Sequence, residues 1–142
     1  MKIAQISPLT ESVPPRFYGG TERIVSYLSE ELVALGHQVT LFASGDSITA
    51  AKLVPCVPHA LRLDATVRDP LPYQLLMLDR VRRMSEEFDI LHFHIDQSHF
   101  PVFRPLAVRT VTTLHGRQDL PDLVPLYLGF DVRDLEVQYS ND

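Results

Sequence analysis

The chain has one cysteine, Cys56, and no tryptophan. A single thiol cannot close a disulfide within the chain, which fits a reducing compartment. Cys56 lies between Pro55 and Pro58 with no evident base partner, so it reads as structural. Positive charge is also scarce: 13 Lys and Arg against 18 Asp and Glu give a net charge of −5. That balance argues against a nucleic-acid footprint or a polybasic membrane surface. No apolar run approaches the roughly 20 residues of a membrane span. Met1-Lys2 is followed by only a few apolar residues before Gln5 and Ser7, unlike a secretory leader. A cytoplasmic protein is expected, with a peripheral place at the inner face of a membrane left open. Also missing are a serine nucleophile elbow, a P-loop lysine motif, zinc-finger spacing, internal repeats and low-complexity segments.

What is there is ordinary in amount and specific in order. A length of 142 residues suggests one domain, and 45% apolar with 22% charged residues matches a soluble globular protein. Lys2 to Ile6 reads as a buried strand. Ser7 to Tyr18, with Pro8, Pro14 and Pro15, reads as a long loop, and long loops at such places are often functional. Thr21 to Leu35 reads as a helix with Ile24, Leu28, Leu32 and Leu35 on its apolar stripe. Gly36 should end it in the left-handed conformation. Gln38 to Ala43 and Lys52 to Val57 read as strands, the second at an edge because of Pro55. Residues 59 to 72 read as irregular. Tyr73 to Glu87 reads as a helix with Leu75, Leu78, Val81 and Met84 or Phe88 inward. Asp89 to His94 and the Thr- and Val-rich Arg109 to Leu114 read as strands. Ser98 to Leu106 reads as a short interrupted helix, Pro121 to Leu128 as another, and Leu135 to Tyr139 as a last strand. This alternation predicts an α/β Rossmann-like, doubly wound, mainly parallel sheet with helices on both faces.

Three constellations carry chemistry. Gly19-Gly20-Thr21-Glu22 follows the first strand and opens the first helix. The first N–H groups of a helix lack partners within it, and the helix dipole adds positive charge there, so such a turn suits an anion. Two glycines let a phosphate approach the backbone with no Cβ in the way. The pattern is not G-x-G-x-x-G, and no acidic residue ends the second strand to hold a ribose, which disfavours a nicotinamide or flavin site. The plain alternative is a flexible turn before a helix.

His92, His94 and Asp96 share one face of a strand by alternation. H-x-H-x-D also begins the ligand set of metallo-β-lactamase-like zinc hydrolases, but those place a His after the Asp and here Gln97 follows. The remaining ligands would have to come from His59, His99 or His115, in no recognisable spacing, so no metal is expected. The plain alternative packs one His against a helix and leaves the other at the strand end. His115-Gly116-Arg117 ends a later strand, so it should share the carboxyl edge with Gly19-Gly20, where a His and an Arg could hold hydroxyls and phosphate. A turn with a solvated His is the alternative.

In this order and spacing the residues resemble the N-terminal half of GT-B fold retaining glycosyltransferases of the large fourth family. The resemblance rests on Met1 to Ile6 with Gly19-Gly20-Thr21-Glu22-Arg23, on Leu32 to Phe42, on Phe88 to His94 and on Thr113-Leu114-His115-Gly116. It implies a hexosyltransferase whose C-terminal domain binds a nucleotide-sugar donor and whose N-terminal domain binds the acceptor. It implies Gly19 and Gly20 at the donor diphosphate and His115 as the catalytic-site histidine beside the transferred sugar. Thr21, Glu22, His94, Asp96 and Arg117 are then candidates for acceptor or sugar contacts. Transfer retains configuration, with the leaving phosphate assisting, and usually needs neither metal nor other cofactor.

In such enzymes a second domain of similar size, with a paired-glutamate motif, holds the donor. Residues 1–142 match only the first, so a fragment, a truncated form or one half of a split enzyme is expected, inactive alone. The missing C-terminal domain or a second chain would be its partner, and the exposed cleft face leaves self-association open. A non-catalytic binding module of the same fold is the principal alternative, and a zinc hydrolase using His92, His94 and Asp96 the more distant one.

Overall fold

The computed structural model describes residues 1–130 and, for the backbone, 136–139. Among them six strands form one sheet in the order β3-β2-β1-β4-β5-β6, every neighbouring pair parallel. The strands are β1 (Lys2–Ile6), β2 (Gln38–Ser44), β3 (Lys52–Val57), β4 (Ile90–Phe93), β5 (Thr110–Leu114) and β6 (Glu136–Tyr139). The helices are α1 (Gly20–Ala34), α2 (Leu71–Met84), α3 (Phe100–Phe103) and α4 (Leu123–Gly129). This is the expected doubly wound architecture, with β3 at the edge where Pro55 costs no ladder bond. β1 is the point where the winding reverses: the chain builds β2 and β3 on one side of it, then returns to lay β4 on the other. Open α/β sheets bind ligands beside such a reversal, outside the carboxyl ends of the strands.

Alternation along the strands separates two layers. Ala4, Ile6, Phe42, Leu91 and Phe93 pack against Met77, Leu78 and Val81 of α2 and Phe103 of α3. On the other face Leu41 and Ala43 pack against Val25 of α1 and Val13 of the first loop. β5 obeys the same rule. The Thr112 hydroxyl meets His99 on the α3 side, and the Thr113 hydroxyl meets His92 on the other.

One helix is rotated from the expectation, and a second starts earlier and differs from it at one inward position. α1 turns Glu22, Val25, Ser26 and Ser29 inward, and Ile24, Leu28 and Leu32 are only half-buried while Leu35 is exposed. The strand face below carries Gln5 and His92 rather than a continuous apolar layer. A stripe of small side chains also lets a helix lie close to its sheet. α2 begins at Leu71, inside the stretch expected to be irregular, with Pro72 tolerated in its first turn. It buries Met77 with Leu78 and Val81 and leaves Leu75 exposed. Gly36 does end α1 with φ +92°. Leu135, the first residue of the expected last strand, lies outside the described residues.

Candidate functional site

The loop from β1 to α1 passes over the carboxyl ends of β1 and β2 before α1 begins. Gly19 caps α1 in extended backbone, and its carbonyl accepts from the Arg23 N–H at 3.1 Å. The two glycines then part company. A Cβ on Gly19 would lie 2.9 Å from both Pro15 Cβ and Glu22 Oε2 and 3.2 Å from Glu11 Cγ, whereas a Cβ on Gly20 would meet nothing within 4 Å. Gly19 is therefore demanded by the protein's own packing. Gly20 keeps open the space in front of the helix N-terminus.

That space is a cleft of about 490 Å³ between the glycine loop and the end of β5, lined by Glu11, Tyr18, Gly19, Gly20, Arg62 and His115 among others. Its floor holds two buried carboxylates, Glu11 and Glu22. Burial raises Glu22 above the usual carboxylate range; a backbone N–H bond opposes the shift, the nearby Glu11 carboxylate adds to it, and Arg62 reduces it. Arg62 pairs with Glu11 at 2.8 Å and is half exposed at the cleft. The anion-favouring helix end thus sits over two carboxylates, Glu11 paired with an arginine and Glu22 raised by its burial. Glu11 and Arg62 carry no motif that would single them out in the sequence.

His94, just past β4, is buried, and its Nδ1 lies 3.0 Å from His115 Nε2. Its Nε2 lies 2.6 Å from Oε1 of Gln5 in β1. The Gln5 amide nitrogen is 3.3 Å from His92 Nδ1, and His92 Nε2 is 2.8 Å from Thr113 Oγ1. Burial, helped by the neighbouring His115, pushes His92 down to about 4. His94 is pushed well below its ordinary value by burial first, then by His92 and His115. Both rings are neutral at pH 7. Gln5 was invisible as a site residue because it stands in an apolar strand with no motif around it.

Asp96 lies in the turn after β4 with φ +55°. Its Oδ1 accepts from the backbone N–H of His115 at 2.8 Å and of Gly116 at 3.2 Å. It shapes the turn that carries His115. Arg117, 72% exposed, makes a two-pronged pair with Asp119 at 2.9 Å on the surface. Gln97 donates to Gln118 and to Tyr127, joining the turn after β4 to the segment after β5. Thr21 stands beside Gly20 in the cleft lining.

Both nitrogens of the His92 and His94 rings face protein partners, Asp96 is engaged by backbone, and no three-ligand cluster occurs among the described residues. His99 is a core residue: its ring stacks on Phe93 at 4.0 Å and 5°, burial pushes it down to about 3, and its buried Nδ1 has no partner. A second cavity, of about 540 Å³, opens on the same sheet edge and is lined by Ser12, Pro15, Arg16, Asp46 and His59 among others.

Comparison with known proteins adds the family. The family described as Glycosyltransferase Family 4 matches residues 18–136. The crystal structure of AviGT4, a glycosyltransferase involved in avilamycin A biosynthesis, is similar at TM-score 0.50 and 24% identity, over 82% of this chain and 32% of that one. The C-terminal domain of the coenzyme A biosynthesis bifunctional protein CoaBC is similar at TM-score 0.50 and 12% identity, over 79% of this chain and 61% of that one. At these identities the likeness is one of fold. This chain spans about a third of the length of AviGT4. No curated protein matches it. No described helix is long and apolar enough to cross a membrane.

Proposed function

Because the chain belongs to glycosyltransferase family 4, we propose that it is the acceptor-side half of a hexosyltransferase that moves a sugar from a nucleotide-sugar to an acceptor hydroxyl with retention of configuration. The observation that carries this reading is the open space before Gly20 at the N-terminus of α1, with His115 lining the same cleft. Glycosyl transfer passes through an oxocarbenium-like state while negative charge grows on the departing diphosphate. Helix N–H groups aimed at that phosphate are more favourable as its charge develops, which lowers the barrier rather than merely tightening binding.

In this reading Gly20 and Thr21 offer N–H groups to the diphosphate, with Gly19 capping the turn. His115 stands beside the transferred sugar, and Glu22 and Arg62 contact hydroxyls or phosphate. His94 and Asp96 act behind His115 rather than on the sugar, and Arg117 contributes from the rim. The acceptor enters by the larger cavity near Arg16 and His59. The nucleotide-sugar is a substrate and no cofactor takes part. Base and ribose recognition belong to a donor-binding domain or partner chain, and the protein works in the cytoplasm.

The test is a nucleotide-sugar panel. Residues 1–142 alone should bind donors with a Kd on the order of millimolar or weaker, about 4 kcal/mol, and consume none. The same residues joined to a donor-binding half should consume one donor and give a product of unchanged anomeric configuration by NMR. Tight donor binding by residues 1–142 alone would overturn this division of labour. An inverted product would overturn the stereochemistry.

A further inference from the structure

We propose that Gln5 is a positioning residue that sets which nitrogen of His115 carries the ring proton, acting through His94. The proposal rests on the reading of His115 as the histidine beside the transferred sugar.

Five side chains form an unbroken line beneath the cleft: Thr113, His92, Gln5, His94 and His115, joined by contacts of 2.8, 3.3, 2.6 and 3.0 Å. The line is possible because Gln5 and His92 stand opposite one another in the β1–β4 register, and His94 follows two residues on. Gln5 is wholly buried in the central strand. An amide placed there costs free energy unless both of its ends are bonded, and both are.

A neutral imidazole has one N–H and one lone pair. Two neutral rings with both nitrogens engaged therefore force a single direction on the whole line. Only two orders are self-consistent, and they differ by a flip of the Gln5 amide. The distances choose between them. At 2.6 Å the contact with His94 suits an N–H donating to oxygen and is too short for an amide nitrogen against a ring nitrogen, whereas 3.3 Å suits nitrogen against nitrogen.

With the amide oxygen on His94, His94 donates from Nε2 and accepts at Nδ1. His115 must then donate from Nε2. On the other arm, Gln5 donates to His92 Nδ1, and His92 donates from Nε2 to the Thr113 hydroxyl. A neutral His115 held in this order has its lone pair at Nδ1, so it accepts a hydrogen bond there and donates none. The reversed order would give a ring that donates at Nδ1. Gln5, out of reach of any substrate, thereby sets whether the cleft histidine acts as acceptor or donor. A polar layer that merely packs would leave that choice open.

The experiment is a long-range proton–nitrogen NMR spectrum of the chain with labelled histidine at pH 7.5, where nitrogens bearing a proton and nitrogens bearing a lone pair resonate far apart. His115 and His94 are expected with the proton on Nε2. In Gln5→Met the acceptor for His94 is lost, and His115 is expected to shift to the Nδ1-protonated form or a mixture. In Gln5→Glu an oxygen still faces His94, so His115 should remain protonated at Nε2 while His92 changes to donate from Nδ1. Finding His115 with its proton on Nδ1 in the wild type, or unmoved in a folded Gln5→Met, would overturn the proposal. Should Gln5→Met not fold, the wild-type and Gln5→Glu spectra decide it. The spectra need no turnover. A protein that proves inactive as a glycosyltransferase would overturn the functional reading while leaving the proton order measurable.

Discussion

Asp96 Oδ1 accepts the backbone N–H of His115 at 2.8 Å, so the turn after β4 directly holds the residue that follows β5. The Asp96 backbone is left-handed, a conformation that Asp and Asn tolerate better than most side chains. Asp96→Asn should keep both the backbone and one acceptor oxygen and cost about 1 kcal/mol. Asp96→Ala should cost about 2–3 kcal/mol, because two N–H groups lose a charged acceptor. Denaturant titration of the two variants checks the order. Equal losses would mean that the carboxylate does not brace the turn.

The two glycines of the cleft should separate folding from function. Gly19→Ala places a Cβ 2.9 Å from Pro15 Cβ and 2.9 Å from Glu22 Oε2, and should destabilise by about 1–3 kcal/mol. A Cβ at Gly20 meets nothing within 4 Å, so Gly20→Val should melt like the wild type. It should nevertheless abolish donor consumption once a donor-binding half is supplied, because the added side chain fills the phosphate space. Thermal melts beside a donor-consumption assay read both. Equal turnover by Gly20→Val and wild type would move the phosphate site elsewhere.

Acid should weaken the fold through its buried histidines. Burial holds His92 at about 4 and His99 at about 3 in the folded chain, against about 6.5 when unfolded. His94 is lowered by the same cause. The folded values are the lower ones, so the unfolded chain takes up protons first as pH falls. Stability present above about pH 6.5 is therefore lost as pH drops toward 4, at up to about 1.4 kcal/mol per pH unit for each ring. His99→Phe keeps the stack on Phe93 and should lower that slope by one ring's share. Denaturant unfolding at pH 7.5, 5.5 and 4.5 measures it, and an unchanged slope in His99→Phe would show that His99 is not held neutral.

Cys56 should be a slow thiol. Burial pushes it up to about 11, with Arg80 opposing, from an ordinary value of 9. The thiolate fraction at pH 8 is then about 100-fold below that of a free cysteine, and alkylation by iodoacetamide should slow by a similar factor. Labelling at the rate of a small-molecule thiol would show that β3 opens readily.

The alternation of strand and helix patterns, and with it the doubly wound sheet, was legible in the chain because apolar periodicity and the prolines and glycines that punctuate it are local properties. So was the end of α1, since Gly36 adopts a backbone that only glycine takes easily. The parallel strand order then puts His94 and His115 at one sheet edge, within reach of a glycine loop anchored after β1. Which way a helix faces was not legible. The apolar count along α1 favoured Ile24, Leu28 and Leu32, but the helix turns Ser26 and Ser29 to the sheet, and that choice depends on strand side chains distant in sequence. The roles of Gln5, Glu11 and Arg62, and the engagement of Asp96 by the His115 backbone, also rest on partners 19 to 89 residues away. A residue's type limits which bonds it can make. Only the parallel register of β1 against β4 decided that one buried amide would join two histidines and reach, through the second, the histidine in the cleft.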